Sequence, residues 1–223
     1  MAATLPVAGP RVIVIPVGPF GGQVAQLLTS GDGYLPGTAD DLEPGFASGV
    51  TAVIIAAWRA CPSLFEQADE LAFRYQVPWL PVVMEHPRLR IGPWVDPRLG
   101  PCHLCYQQRK IQHDSQHAAT SALEAAYDRD PDCGPGGYLP HHARVAAGVA
   151  AMTVRSGTTE RRACDGGPGT AGQVSLINVL TWQTATHRVL ARHGCRCGQA
   201  GGIESGLTAV LVRTRVLELG RTR

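Results

Sequence analysis

Two short cysteine pairs, far apart in the chain, constrain its fold more than any other feature. Cys102-His-Leu-Cys105 follows Gly100-Pro101, and Cys195-Arg-Cys197 stands between Gly194 and Gly198, so each pair sits in a turn. A structural zinc needs four thiolate or imidazole ligands in a tetrahedron, and two such knuckles supply four. The expected ligands are therefore Cys102, Cys105, Cys195 and Cys197. The tighter spacing of the second pair leaves His103 and His193 open as replacement ligands. A redox dithiol is the other reading of either pair taken alone.

Cys61, Cys133 and Cys164 bring the count to seven and have no partner at ligand spacing. They read as small buried hydrophobes. The N-terminus lacks the basic start, apolar stretch and cleavage site of a secretory signal, so a disulfide framework is not expected and the chain is placed in the cytoplasm. The longest apolar runs, 12–17 and 50–58, are far below the roughly 20 residues that cross a bilayer. Twenty basic against 18 acidic residues give a formal charge of +2, which provides no footprint for nucleic acid. With 223 residues, 44% of them hydrophobic, the chain can bury a real core. Only Lys110 among the basic residues is a lysine, which leaves one candidate for the point charge that nucleotide enzymes place on phosphate.

The β-branched run 12–17 leads into a glycine turn with Gly18, Gly21 and Gly22, and a helix is expected over 23–28. Strand, glycine turn and helix open a nucleotide-binding βαβ unit. The glycine spacing is not G-x-G-x-x-G, and a tight turn without a ligand is the competing reading. Residues 31–49 are rich in Gly, Pro and Asp, so the strand that would end in a ribose-binding acid near Asp40 or Asp41 looks eroded. A buried strand at 50–58, an amphipathic helix at 63–75 and a strand at 77–84 form a second βαβ unit. On that helix Leu64, Ala68, Leu71, Ala72 and Tyr75 make the apolar face, while Glu66, Asp69, Glu70 and Arg74 are assigned to solvent.

A short strand is expected within 88–97 and one continuous helical stretch over 104–127, carrying His113 and His117 at i, i+4 as a surface pair. A helix over 139–155 should pack its alanine face on the sheet. Residues 156–172 read as a mobile loop, 173–180 and 186–190 as a hairpin delivering Cys195, and 206–220 as an edge strand. The fold class is α/β, a Rossmann-like sheet over 1–100, with a zinc-knuckle, helical and hairpin portion over 101–223 packed on the same sheet.

The stretch Val77-Pro-Trp-Leu-Pro-Val82, followed by Ile91-Gly-Pro-Trp-Val-Asp-Pro and Gly100-Pro-Cys-His-Leu-Cys105, carries a resemblance. So does Thr186-His-Arg-Val-Leu-Ala-Arg-His-Gly-Cys-Arg-Cys-Gly198, one spacer residue short in its pair. Over about 11–198 the chain resembles the ThiF-like fold of ubiquitin-activating-type proteins, in the cyclodehydratase-associated branch of thiazole/oxazole-modified peptide biosynthesis. The resemblance implies an accessory protein that presents a precursor peptide to a YcaO-type cyclodehydratase, which uses ATP to activate backbone amides for cyclisation by Cys, Ser or Thr. The accessory protein does not itself catalyse, and a homodimer stays open.

In that branch an N-terminal winged-helix module captures the leader by strand addition. Only about ten residues precede the first strand here, too few for such a module. Partner contact is then expected at the edge beside residues 31–49, unless that segment simply covers the edge, or on the helical stretch 104–127. ThiF-like enzymes instead bind ATP and adenylate a C-terminus, so an adenylating enzyme is the alternative. The glycine turn is then a vestige and ATP is not expected, because Arg59, Arg74 and Asp69, the substitutes on offer, have the spacing of a helix surface. Nicotinamide binding fits neither the glycine spacing nor the missing acid.

Overall fold

A computed structural model describes residues 11–200 apart from 48, 131 and 164–168. The expected edge strand at 206–220, and Cys164, lie outside the described residues. Seven strands form one mixed sheet: β1 (Val12–Val17), β2 (Tyr34–Pro36), β3 (Ala52–Ala57), β4 (Trp79–Glu85), β5 (Arg88–Ile91), β6 (Gln173–Asn178) and β7 (Thr184–Arg188). Their spatial order is β2-β1-β3-β4-β5-β6-β7. The first four are parallel and the last three join antiparallel.

The parallel half is buried on both faces, and this explains its unbroken apolar strands. Side chains alternate across the sheet, so Val12, Val14, Ala52, Ile54, Leu80 and Val82 face one core while Ile13, Ile15, Val53, Ile55, Trp79 and Val83 face the other. Helix α1 (Gly18–Thr29) covers the first face through Phe20, Val24 and Leu28. The short α2 (Glu43–Phe46) and α3 (Pro62–Tyr75) cover the second with Leu42, Phe46, Phe65 and Leu71.

The second strand is short rather than absent: Tyr34–Pro36 pairs with Val12, Ile13 and Val14 and forms one edge of the sheet. The stretch 104–127 is two helices, α4 (His103–His113) and α5 (His117–Arg129), because Asp114 leaves helical geometry and its side chain holds the turn between them, accepting from the Gln116 N–H and the Thr120 hydroxyl. His113 and His117 therefore end one helix and start the next instead of sharing a face.

Helix α6 (Pro140–Ala163) packs Ala143, Ala146, Ala147 and Ala150 on the first face, as the alanine pattern predicts. It runs through residues expected to be loop. Gly157 lets it continue, since a Cβ there would lie 2.4 Å from the buried Trp94 ring. The hairpin β6–β7 forms as expected and leads into α7 (Arg196–Ala200).

Candidate metal centre

Three local devices bring the two cysteine pairs together. Gly100, at φ +53°, turns the chain so that Cys102 caps α4 and Cys105 lies in its first turn. Gly172, at φ +74°, sits where a Cβ would lie 2.7 Å from Pro101, which locks the hairpin start against the first knuckle. Gly194, at φ +72°, reverses the chain ahead of Cys195 and Cys197.

The four sulfurs lie within 4.8 Å of one another and all four side chains are buried. Cys102 Sγ is 3.8 Å from Cys105 Sγ and 3.5 Å from Cys195 Sγ, and Cys105 Sγ is 3.5 Å from Cys197 Sγ. A disulfide would require about 2.05 Å. A tetrahedron with zinc–sulfur bonds of about 2.3 Å has edges of about 3.8 Å, so the spacing fits a shared metal ion. His103 stays out of the cluster. Its ring is buried among Phe65, Trp79 and Tyr106.

Without a cation the buried thiols stay protonated. The hydrogen bond with Cys197, then burial, hold the Cys102 thiol above its ordinary range, and burial pushes Cys105 up to about 11. A bound metal reverses this by stabilising thiolates directly. The Arg192 N–H, 3.2 Å from Cys105 Sγ, and the N-terminal end of α4 favour the same charged state.

Asp69 ties the knuckles to the sheet, a role that a solvent assignment missed. The residue is 3% exposed; Oδ1 accepts the His103 N–H at 3.0 Å and Oδ2 accepts from Arg196 at 2.8 Å. The signal was available in the spacing, because Phe65, Asp69 and Ala72 share the buried stripe of α3. Tyr75, expected inside, is instead exposed and donates to Glu43 beside Arg74. Arg59 is buried between Trp58 and Tyr127, in the connection after β3 rather than on a helix surface.

The glycine turn after β1 is filled by the chain itself. Gly18 has φ +69°, and a Cβ there would lie 2.2 Å from the Trp58 ring. Gly21 brings α1 onto β3, where a Cβ would meet the Ala56 carbonyl oxygen at 2.1 Å, whereas Gly22 has no neighbour within 4 Å. The Tyr138 hydroxyl donates to the Pro19 carbonyl from above.

Beyond the carboxyl ends of β3 and β4 opens a cleft of about 930 Å³, walled by α4 and α5 on one side and β6–β7 on the other. Lys110 lies in it, 2.8 Å from Glu124. Glu85 lines it too and accepts from the buried Arg90 at 2.9 Å. Burial opposes ionisation of Glu85, but Arg90, Lys110 and Arg88 outweigh it and keep this carboxyl below the ordinary range.

No protein-family model and no curated protein sequence matches the chain. Solved structures do. The heterocyclase TruD aligns with a TM-score of 0.63 at 19% identity, covering 84% of this chain and 27% of TruD. The E. coli microcin synthetase McbBCD complex contributes a chain that aligns at 0.60 and 14% identity, covering 87% of this chain and 70% of that one. The microcin C7 biosynthetic enzyme MccB, in complex with N-formylated MccA, aligns at 0.59 and 13%, covering 86% and 68%. This chain thus spans about a quarter of the heterocyclase and about two thirds of the microcin proteins. The ThiF-like α/β fold expected from the sequence is the fold these structures share with it.

Proposed function

We propose that the chain is an accessory protein of azoline and azole formation in a ribosomally made peptide, working beside a YcaO-type cyclodehydratase and contacting the precursor peptide. The observation that carries this reading is Trp58 lying over Gly18, on a fold shared with a heterocyclase and a microcin synthetase component. Nucleotide turns of this fold family need open backbone beside glycine for phosphate to approach. Here an indole takes that space beside Gly18 and Gly21 packs on β3, so these two glycines serve turn and packing while Gly22 stays open, and activation of the amide is left to the partner enzyme. The four cysteines hold one structural zinc, which fixes the portion from 101 onward to the sheet.

Reconstitution tests the reading. Purified chain, a YcaO-type enzyme, ATP and a precursor containing Cys, Ser or Thr should lose one water per ring by mass spectrometry, and omission of this chain should abolish the loss. The adenylating alternative predicts peptide-dependent exchange of pyrophosphate into ATP by this chain alone. That exchange, or ring formation indifferent to the chain, overturns the proposal.

A further inference from the structure

Helix α5 differs from the other long helices of the fold. None of its 13 residues is buried, whereas α1, α3, α4 and α6 each seat side chains in the interior. Ala118, Ala119, Ala122 and Ala125 stand exposed along it. A helix of this length is marginal in water by itself and draws its stability in a protein from packing an apolar face. Helix α5 packs none.

What holds it is polar. Near its start the Thr120 hydroxyl donates to Asp114 at 2.6 Å, midway Lys110 donates to Glu124 at 2.8 Å, and at its end the Ser63 hydroxyl donates to Asp128 at 2.8 Å while Arg59 lies 4.6 Å from the Tyr127 ring. Water can replace such bonds at small net cost, and cavities flank the helix on both sides. One is the cleft of about 930 Å³; the other, of about 390 Å³, lies between α3, α4 and α5. Lys110, Asp114, Thr120 and Glu124 line both, so the two pairs they form are what separates the cavities. Each end of α5 has a pivot. The turn at Asp114 precedes it, and Gly134, at φ +121°, and Gly137, where a Cβ would meet nothing within 4 Å, follow it.

We propose that α5 is a lid, latched by Glu124 on Lys110, which opens as one unit, joins the two cavities into a single groove along α4 and bares Lys110, the only lysine of the sequence. Closed, the Lys110 side chain is 27% exposed and its ammonium is taken by Glu124. Opening withdraws that carboxylate and leaves the ammonium facing the groove. Segments that gate a site come from the least stable part of a structure, and a helix without a buried residue belongs there. The lid rests on α5 and its two cavities alone, and it stands whether or not the chain works with a heterocyclising partner.

Hydrogen exchange of the full chain, read by mass spectrometry, tests it. Amides of 117–129 should exchange with one common rate, at least about a hundredfold faster than those of α3 and of 140–155, and nearly independently of low urea, which marks local opening. Acylation of Lys110 by a succinimidyl ester, located by peptide mapping, gives the second readout. The Ser63→Ala/Thr120→Val variant releases both ends of α5 without touching Lys110 or Glu124. It should speed the acylation and the exchange of 117–129 by about tenfold, each hydrogen bond being worth roughly three- to tenfold in the opening equilibrium, and leave exchange in α3 and 140–155 as it was. Exchange of 117–129 in step with those helices, unchanged acylation in the variant, or an acceleration shared by every helix each overturns the proposal.

Discussion

Asp69 accepts the Arg196 guanidinium at 2.8 Å with one carboxylate oxygen and the His103 backbone N–H at 3.0 Å with the other, so one residue of α3 grips both cysteine knuckles. Burial raises the pKa of this carboxyl, and the bonds from His103 and Arg196 oppose that rise. Removing it strands a buried N–H and an arginine. Asp69→Ala should cost about 1–3 kcal/mol in chemical denaturation and speed metal release to a chelating dye. Asp69→Asn keeps an acceptor for the His103 N–H and should cost less. Equal effects of the two variants would show that the acceptor for the His103 N–H does not matter.

Metal analysis should return about one zinc per chain. Cobalt substitution should give the intense thiolate-to-metal absorption of a sulfur-rich tetrahedral site. Cys102→Ser or Cys197→Ser should lose the metal together with thermal stability, since structural zinc contributes roughly 10 kcal/mol or more of apparent binding free energy. Metal-free protein with an unchanged melting temperature would sink the centre as a structural element.

Two glycines of one turn should respond in opposite senses. Gly21→Ala drives a methyl to 2.1 Å from the Ala56 carbonyl oxygen, so α1 must lift from β3 at a cost of about 1–3 kcal/mol. Gly22→Ala meets nothing within 4 Å inside the same helix and should raise stability by about 0.5–1 kcal/mol. Urea denaturation of both variants checks the pair.

Acid should weaken the docking of the β6–β7 turn on α6. His142 Nδ1 accepts the Leu139 N–H at 3.2 Å, and its ring packs with His141 and Trp182. Burial, then His141 and His86, keep its pKa below the ordinary histidine value. A depressed folded value means that the contribution is complete above about pH 6.5, the unfolded value, and is lost as pH falls through the folded one. Protonation also removes the acceptor and sets a positive charge at a helix N-terminus. Stability measured between pH 7.5 and 5 should fall more steeply in the wild type than in His142→Gln; parallel profiles would refute this.

Periodicity and cysteine spacing made most of this protein readable in one dimension. Runs such as Val12–Val17 and Ala52–Ala57 are apolar without alternation, which only a sheet covered on both faces accommodates, and the four-cysteine grouping follows from two turn-borne pairs. Partnerships across the fold were decided by tertiary structure. Asp69 looks like any charge on an amphipathic helix until the knuckles close over it, and Trp58 looks like the end of a strand until the switch between β1 and β3 lays its ring on Gly18. The same holds for residues 156–163, polar in sequence yet helical because Gly157 admits the helix against Trp94. Local pattern reports which face of an element is apolar. Which polar group can be buried depends on a partner distant in the chain, and only the packed fold supplies that partner.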